Sequence, residues 1–152
     1  MIDFKIILNG QSVETQIEPD AKLYDTLRSL GCLSVKCGCE TSGCGMCTVI
    51  IDGKPMLSCS IMSARVNGAS IITLEGMQDR AKAFAECMAD EGADQCGFCN
   101  PGFVMNVLAM EDELTNPTDD EIRKYLLGNL CRCTGYVSQE RAIKKYLQIR
   151  RG

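Results

Sequence analysis

The chain has 152 residues, 45% hydrophobic and 24% charged, which allows one domain or two small ones. Sixteen basic and twenty acidic residues leave a net charge of −4, which argues against nucleic acid as a partner. Histidine is absent, which excludes a Rieske centre, a His-ligated haem, every zinc site that uses His, and the commonest general base.

Lys5-Ile6-Ile7-Leu8 and the run Ser12 to Ile17 flank Asn9-Gly10, a two-residue turn signal, so residues 4–17 read as a β-hairpin. After Pro19-Asp20, a short helix over 23–30 is expected, with Leu23, Leu27 and Leu30 on one face and Gly31 as its stop. Residues 37–47 form a Gly- and Cys-rich loop. A second hairpin follows, Thr48 to Ile51 and Lys54 to Ser58 around Asp52-Gly53, and a strand over 70–74 closes the sheet. Hairpin, helix, hairpin and strand predict a β-grasp arrangement.

From about residue 77 the pattern becomes helical. Helices are expected over 80–91, from the Asn100-Pro101 start (Asn100 as N-cap), after the capping box Thr118 to Glu121, and over about 138–149. The fold class is therefore α+β: a plant-type ferredoxin-like β-grasp domain over residues 1–76, then a four-helix bundle over residues 77–152. No apolar run approaches membrane-spanning length and the first residues already read as a strand, so a cytoplasmic protein is expected.

Eleven cysteines in such a chain point to metal or redox use instead of disulfides. Eight fall into two quartets. Cys39, Cys44, Cys47 and Cys59 follow the C-x4-C-x2-C…C spacing of a plant-type [2Fe–2S] centre. The second hairpin accounts for the last gap, because its two arms return Cys59 to the end where Cys47 starts. Glycines 38, 43 and 45 let backbone N–H groups approach the sulfurs. A zinc ribbon is the competing reading, but ribbons pair two C-x2-C-like knuckles and the x4 step departs from that. The second quartet is Cys96, Cys99, Cys131 and Cys133, two close pairs that helix ends can bring together; by itself it also fits zinc or a C-x2-C redox pair. Cys32 and Cys87 read as core residues, and Cys37 as a spare thiol or substitute ligand in the loop.

Four stretches carry a resemblance: Val35 to Cys39, Cys44 to Val49, Gln95 to Gly102 and Gly128 to Tyr136. Together they resemble the small iron–sulfur subunit of the molybdenum hydroxylases, the xanthine dehydrogenase, aldehyde oxidoreductase and carbon monoxide dehydrogenase family. The resemblance implies two [2Fe–2S] clusters, an N-terminal one on Cys39, Cys44, Cys47 and Cys59 facing a medium FAD-binding subunit, and a C-terminal one on Cys96, Cys99, Cys131 and Cys133 facing a large molybdopterin-binding subunit. It implies that Gln95 and Cys133 touch the pterin, that electrons run from molybdenum through both clusters to FAD, and that the complex is a dimer of heterotrimers. No substrate-converting site is expected on this chain. A purine or other N-heterocycle is the first substrate expectation, with carbon monoxide or an aldehyde next. A free-standing two-cluster carrier and a zinc-stabilised interaction module are the competing functions. Gln139 departs from the family pattern, standing where an aliphatic residue often follows the Thr-Gly-Tyr turn.

Overall fold

A computed structural model describes residues 1–152. The first half is built on a five-stranded sheet. Strand β1 (Ile2–Leu8) pairs antiparallel with β2 (Gln11–Ile17), and Leu8 lies opposite Gln11. The two-residue turn needs positive φ at both positions, and Asn9 (50°) and Gly10 (82°) supply it. The hairpin β3 (Thr48–Ile51) and β4 (Lys54–Leu57) repeats this device with Asp52 (48°) and Gly53 (82°). The short strand β5 (Ser70–Ile72) lies parallel to β1 and antiparallel to β3, which gives the sheet order β2-β1-β5-β3-β4.

Helix α1 (Leu23–Ser29) covers one face of this sheet. Alternation on β1 sends Phe4, Ile6 and Leu8 into the core, where they meet Leu23 and Leu27 of the helix and Val49, Ile51 and Ile71 of the sheet. Strand β3 is buried at all four positions. Its second face is covered by the other half of the chain, where Ile50 packs on Met105 and Ala109.

The second half holds four helices: α2 (Gln78–Asp90), α3 (Asn100–Glu113), α4 (Asp119–Tyr125) and α5 (Val137–Arg151). They share a core of Phe84, Met88, Val107, Leu108, Ile143 and Tyr146, among others, and Phe84 meets Tyr146 edge-on at a centroid distance of 5.3 Å. Helix α3 is buried on nearly all sides, because it serves this core on one side and β3 on the other. Thr118 and Glu121 form the expected reciprocal capping box. No helix is long and apolar enough to cross a membrane.

Several boundaries differ from expectation by a residue or two, and three of them have a visible cause. Strand β5 ends at Ile72, because Thr73 gives its N–H to the Asn9 side chain (2.8 Å) and a 3-10 turn begins at Leu74. Helix α3 begins one residue early: Cys99 holds the N-cap position, and the Asn100 amide donates to Asp94 (2.8 Å) instead of capping. Helix α4, expected from its Ile122, Tyr125 and Leu126 pattern to run to Gly128, stops at Tyr125, after which the chain turns toward the first cysteine loop.

Candidate metal centres

The β3–β4 hairpin does what the spacing demanded. Thr48 lies opposite Leu57, and the next residue, Ser58, donates both its N–H (3.2 Å) and its hydroxyl (2.8 Å) to the Cys47 carbonyl. Cys59 is thereby set beside Cys47, close enough for each thiol to act on the other electrostatically. Cys39 and Cys44 form a second such pair in the preceding loop. In the other half, Cys99 pairs with Cys131 and Cys96 with Cys133. The loop before α3 and the loop before α5 therefore meet as the second quartet requires.

Each quartet is thus two thiol pairs, and no three His, Cys, Asp or Glu donors in the chain converge on one point as a single metal ion would need. A [2Fe–2S] centre has two irons, each held by two thiolates. Two thiol pairs in each quartet match the two irons of that group.

Backbone donors surround the sulfurs. Gly43 N–H approaches Cys39 Sγ (3.3 Å), and Met46 N–H approaches Cys44 Sγ (3.5 Å). Hydrogen bonds from the backbone of Gly43 and then Thr41 hold the Cys39 thiol down at about 6. Burial acts in the other direction at Cys47, pushed up to about 11, and at Cys99, pushed up to about 12. At Cys131 burial also opposes the thiolate, but Thr134 outweighs it through its hydroxyl (3.2 Å) and N–H (3.4 Å), and the thiol lies below its ordinary value. Tyr136 takes a left-handed φ of 72°, and its hydroxyl accepts the Cys131 N–H (3.1 Å), closing the turn that presents Cys131 and Cys133.

The two loops are joined directly. Leu130 N–H donates to the Cys44 carbonyl at 2.9 Å, so the residue before Cys131 touches a residue of the first quartet. Two glycines permit this approach. A Cβ on Gly45 would run into the Gly128 carbonyl and the Asn129 amide, and a Cβ on Gly102 would run into the backbone of Gly45 and Met46. Asn129 is itself held by Asn106 of α3 (2.6 Å).

Residues 6–70 match the 2Fe-2S iron-sulfur cluster binding domain family, and residues 73–144 match the [2Fe-2S] binding domain family. The chain is 40% identical over 146 residues to the nicotinate dehydrogenase small FeS subunit of Eubacterium barkeri, covering 94% of this chain and 93% of that one. This chain belongs to the small iron–sulfur subunits of the molybdenum hydroxylases. Among solved structures, quinoline 2-oxidoreductase from Pseudomonas putida 86 contains a chain that superposes with a TM-score of 0.90 at 37% identity, covering 99% of this chain and 97% of that one. Aldehyde oxidoreductase from Desulfovibrio gigas also superposes with a TM-score of 0.90, at 34% identity, but this chain spans only 17% of that longer polypeptide. Like the relatives, this iron–sulfur subunit is an electron-transfer component of an oxidoreductase complex, and its two domains of this type provide for two [2Fe–2S] clusters.

Gln95 and Cys133 are both exposed, and the Gln95 amide donates to the Gly92 carbonyl (3.3 Å). Cys32 and Cys87 are buried, while Cys37 is exposed with its thiol on the Cys39 carbonyl (2.9 Å), outside both sets of pairs. Sequence reasoning marked Gln139 only as a departure, and the structure buries it beside Cys99; it missed Gly102, which admits the first loop against α3. A polar residue where an aliphatic is usual was the one available signal for Gln139.

Proposed function

We propose that this subunit relays single electrons between a large molybdopterin-binding subunit and a medium FAD-binding subunit that oxidise an N-heteroaromatic substrate. Cys39, Cys44, Cys47 and Cys59 hold one cluster, and Cys96, Cys99, Cys131 and Cys133 hold the other. Each cluster, when bound, takes up and releases one electron. The observation that carries the reading is the Leu130–Cys44 hydrogen bond, which gives the two ligand loops a through-bond connection with no solvent between. Gln95 and Cys133 face the pterin; their exposure beside a ring of uncovered apolar side chains supports this. Phe98, Leu130, Tyr136 and Val137 are 46%, 49%, 46% and 64% exposed around the second quartet, which suits a subunit better than a free carrier. Nicotinate and quinoline, in the names of two relatives, are both N-heteroaromatic, which favours that substrate class over an aldehyde.

We read residues 1–76 as a β-grasp domain and residues 77–152 as a four-helix bundle, supported by the sheet order and the two separate cores. Assembly as a dimer of heterotrimers follows from the same reading. A cytoplasmic location fits eleven unbridged cysteines.

The test is the native complex. It should contain molybdenum, FAD and two electron paramagnetic resonance signals of [2Fe–2S] type per copy of this chain. Gln95→Ala should keep both signals, slow reduction by substrate about tenfold as loss of an oriented contact does, and leave reduction by dithionite unchanged. Stoichiometric zinc, or equal turnover of variant and parent, would overturn the respective parts.

A further inference from the structure

We propose that Gln139 sets the reduction potential of the C-terminal cluster through Cys99. Gln139 lies in the first turn of α5 and is 3% exposed, yet its side chain is an amide. Its Nε2 group points at Cys99 Sγ from 4.0 Å, across to the start of α3. Cys99 is the one buried ligand of the second quartet, 8% exposed. Gln139 also borders a cavity of about 350 Å³ lined by apolar Phe103, Leu126 and Ile143 and by polar Arg123, Asn129 and Glu140.

A buried amide is costly unless its N–H is used, and Cys99 Sγ is the acceptor that its Nε2 group meets. An N–H dipole aimed at a ligand sulfur stabilises added negative charge. Reduction adds one electron to the cluster and increases the charge on its sulfurs, so this donor favours the reduced state. The backbone donors Gly43 and Met46 act on sulfurs of the first quartet, and Gln139 makes no contact there. Gln139 therefore separates the potentials of the two centres, raising the one nearer the substrate-oxidising side. It is a positioning residue for electron flow, and it rests on the reading that Cys99 is a cluster ligand.

Gln139→Leu removes the donor at nearly constant volume. In the whole complex, a redox titration followed by electron paramagnetic resonance resolves both centres. The reduction equilibrium of the C-terminal cluster should fall about threefold, roughly 28 mV at 59 mV per tenfold for one electron, with the N-terminal cluster unmoved. An unmoved C-terminal potential, or equal shifts at both centres, overturns the proposal. Should Gln139→Leu not load its cluster, the unsubstituted complex labelled with 15N at glutamine side chains decides: a hyperfine coupling to the reduced C-terminal cluster supports the contact, and its absence removes it. A missing C-terminal signal in the unsubstituted complex sinks the ligand assignment instead.

Discussion

Gly102→Ala probes how α3 holds the first cysteine loop. The new Cβ would stand 2.7 Å from Met46 Cα and 2.9 Å from its carbonyl carbon, with the Gly45 oxygen closer still. Carbon atoms rest at about 3.5–4.0 Å, so helix and loop must part by roughly 0.8 Å. All three obstacles are backbone atoms, which cannot rotate aside as a side chain would. Along the Leu130–Cys44 hydrogen bond, now 2.9 Å, such an opening gives about 3.7 Å, beyond useful range. Alanine gains about 1 kcal/mol of helix propensity over glycine. Overpacking costs about 1–3 kcal/mol and the lost hydrogen bond about 0.5–1.5 kcal/mol. The expected net loss is about 2 kcal/mol, lowering the melting temperature by roughly 4–8 °C. Amide hydrogen exchange of the loaded protein should show Leu130 losing protection, and thermal unfolding should show the drop. A variant with Leu130 protected as in the parent and an unchanged or higher melting temperature would refute the reasoning.

Cys59→Ser should abolish one cluster and leave the other's signal largely intact, and Cys131→Ser should do the reverse; iron analysis with electron paramagnetic resonance checks both, and loss of both signals from either change would mean one cooperative unit. Glu111 lies beneath Arg80 (2.8 Å), Arg150 (2.9 Å) and the Tyr146 hydroxyl (2.7 Å). Burial alone would raise its carboxyl, but these donors outweigh it and hold it below the ordinary value. A lowered carboxyl stabilises the fold above the unfolded value, about 4.3, and that contribution fades as the pH falls through the folded value. Glu111→Gln should therefore cost about 1 kcal/mol at pH 7 and show a shallower further loss between pH 5 and 3 than the parent, read by denaturant titration at each pH; parallel curves would discount the cluster.

Both hairpins were legible because Asn9-Gly10 and Asp52-Gly53 encode their turns locally, and Thr118 and Glu121 announced α4 in the same way. The approach of Cys59 to Cys47 was legible because ligand spacing and hairpin length agree, whereas the pairing of Cys99 with Cys131 and of Cys96 with Cys133 was not. What escaped was tertiary. Cys99 takes the cap position that Asn100 suggested, because Asp94 captures the asparagine amide from six residues away in the chain. Gly102 looks like any glycine in the first turn of a helix until the first loop is packed on it. Gln139 falls on the inward stripe of its helix with Ile143 and Tyr146, and only the position of Cys99 shows why an amide stands there.

Strand β3 carries a further consequence for synthesis. By the time its sheet can form on the ribosome, α3, more than forty residues downstream, has yet to emerge. Until then Ile50, with Ile72 beside it, faces water on a finished sheet that has no cover. The nascent protein therefore passes through a stage with an apolar back face, a surface suited to chaperone capture and to misassociation with other chains. A fragment cut at residue 76 would be held at that stage permanently, however complete its own cysteine quartet.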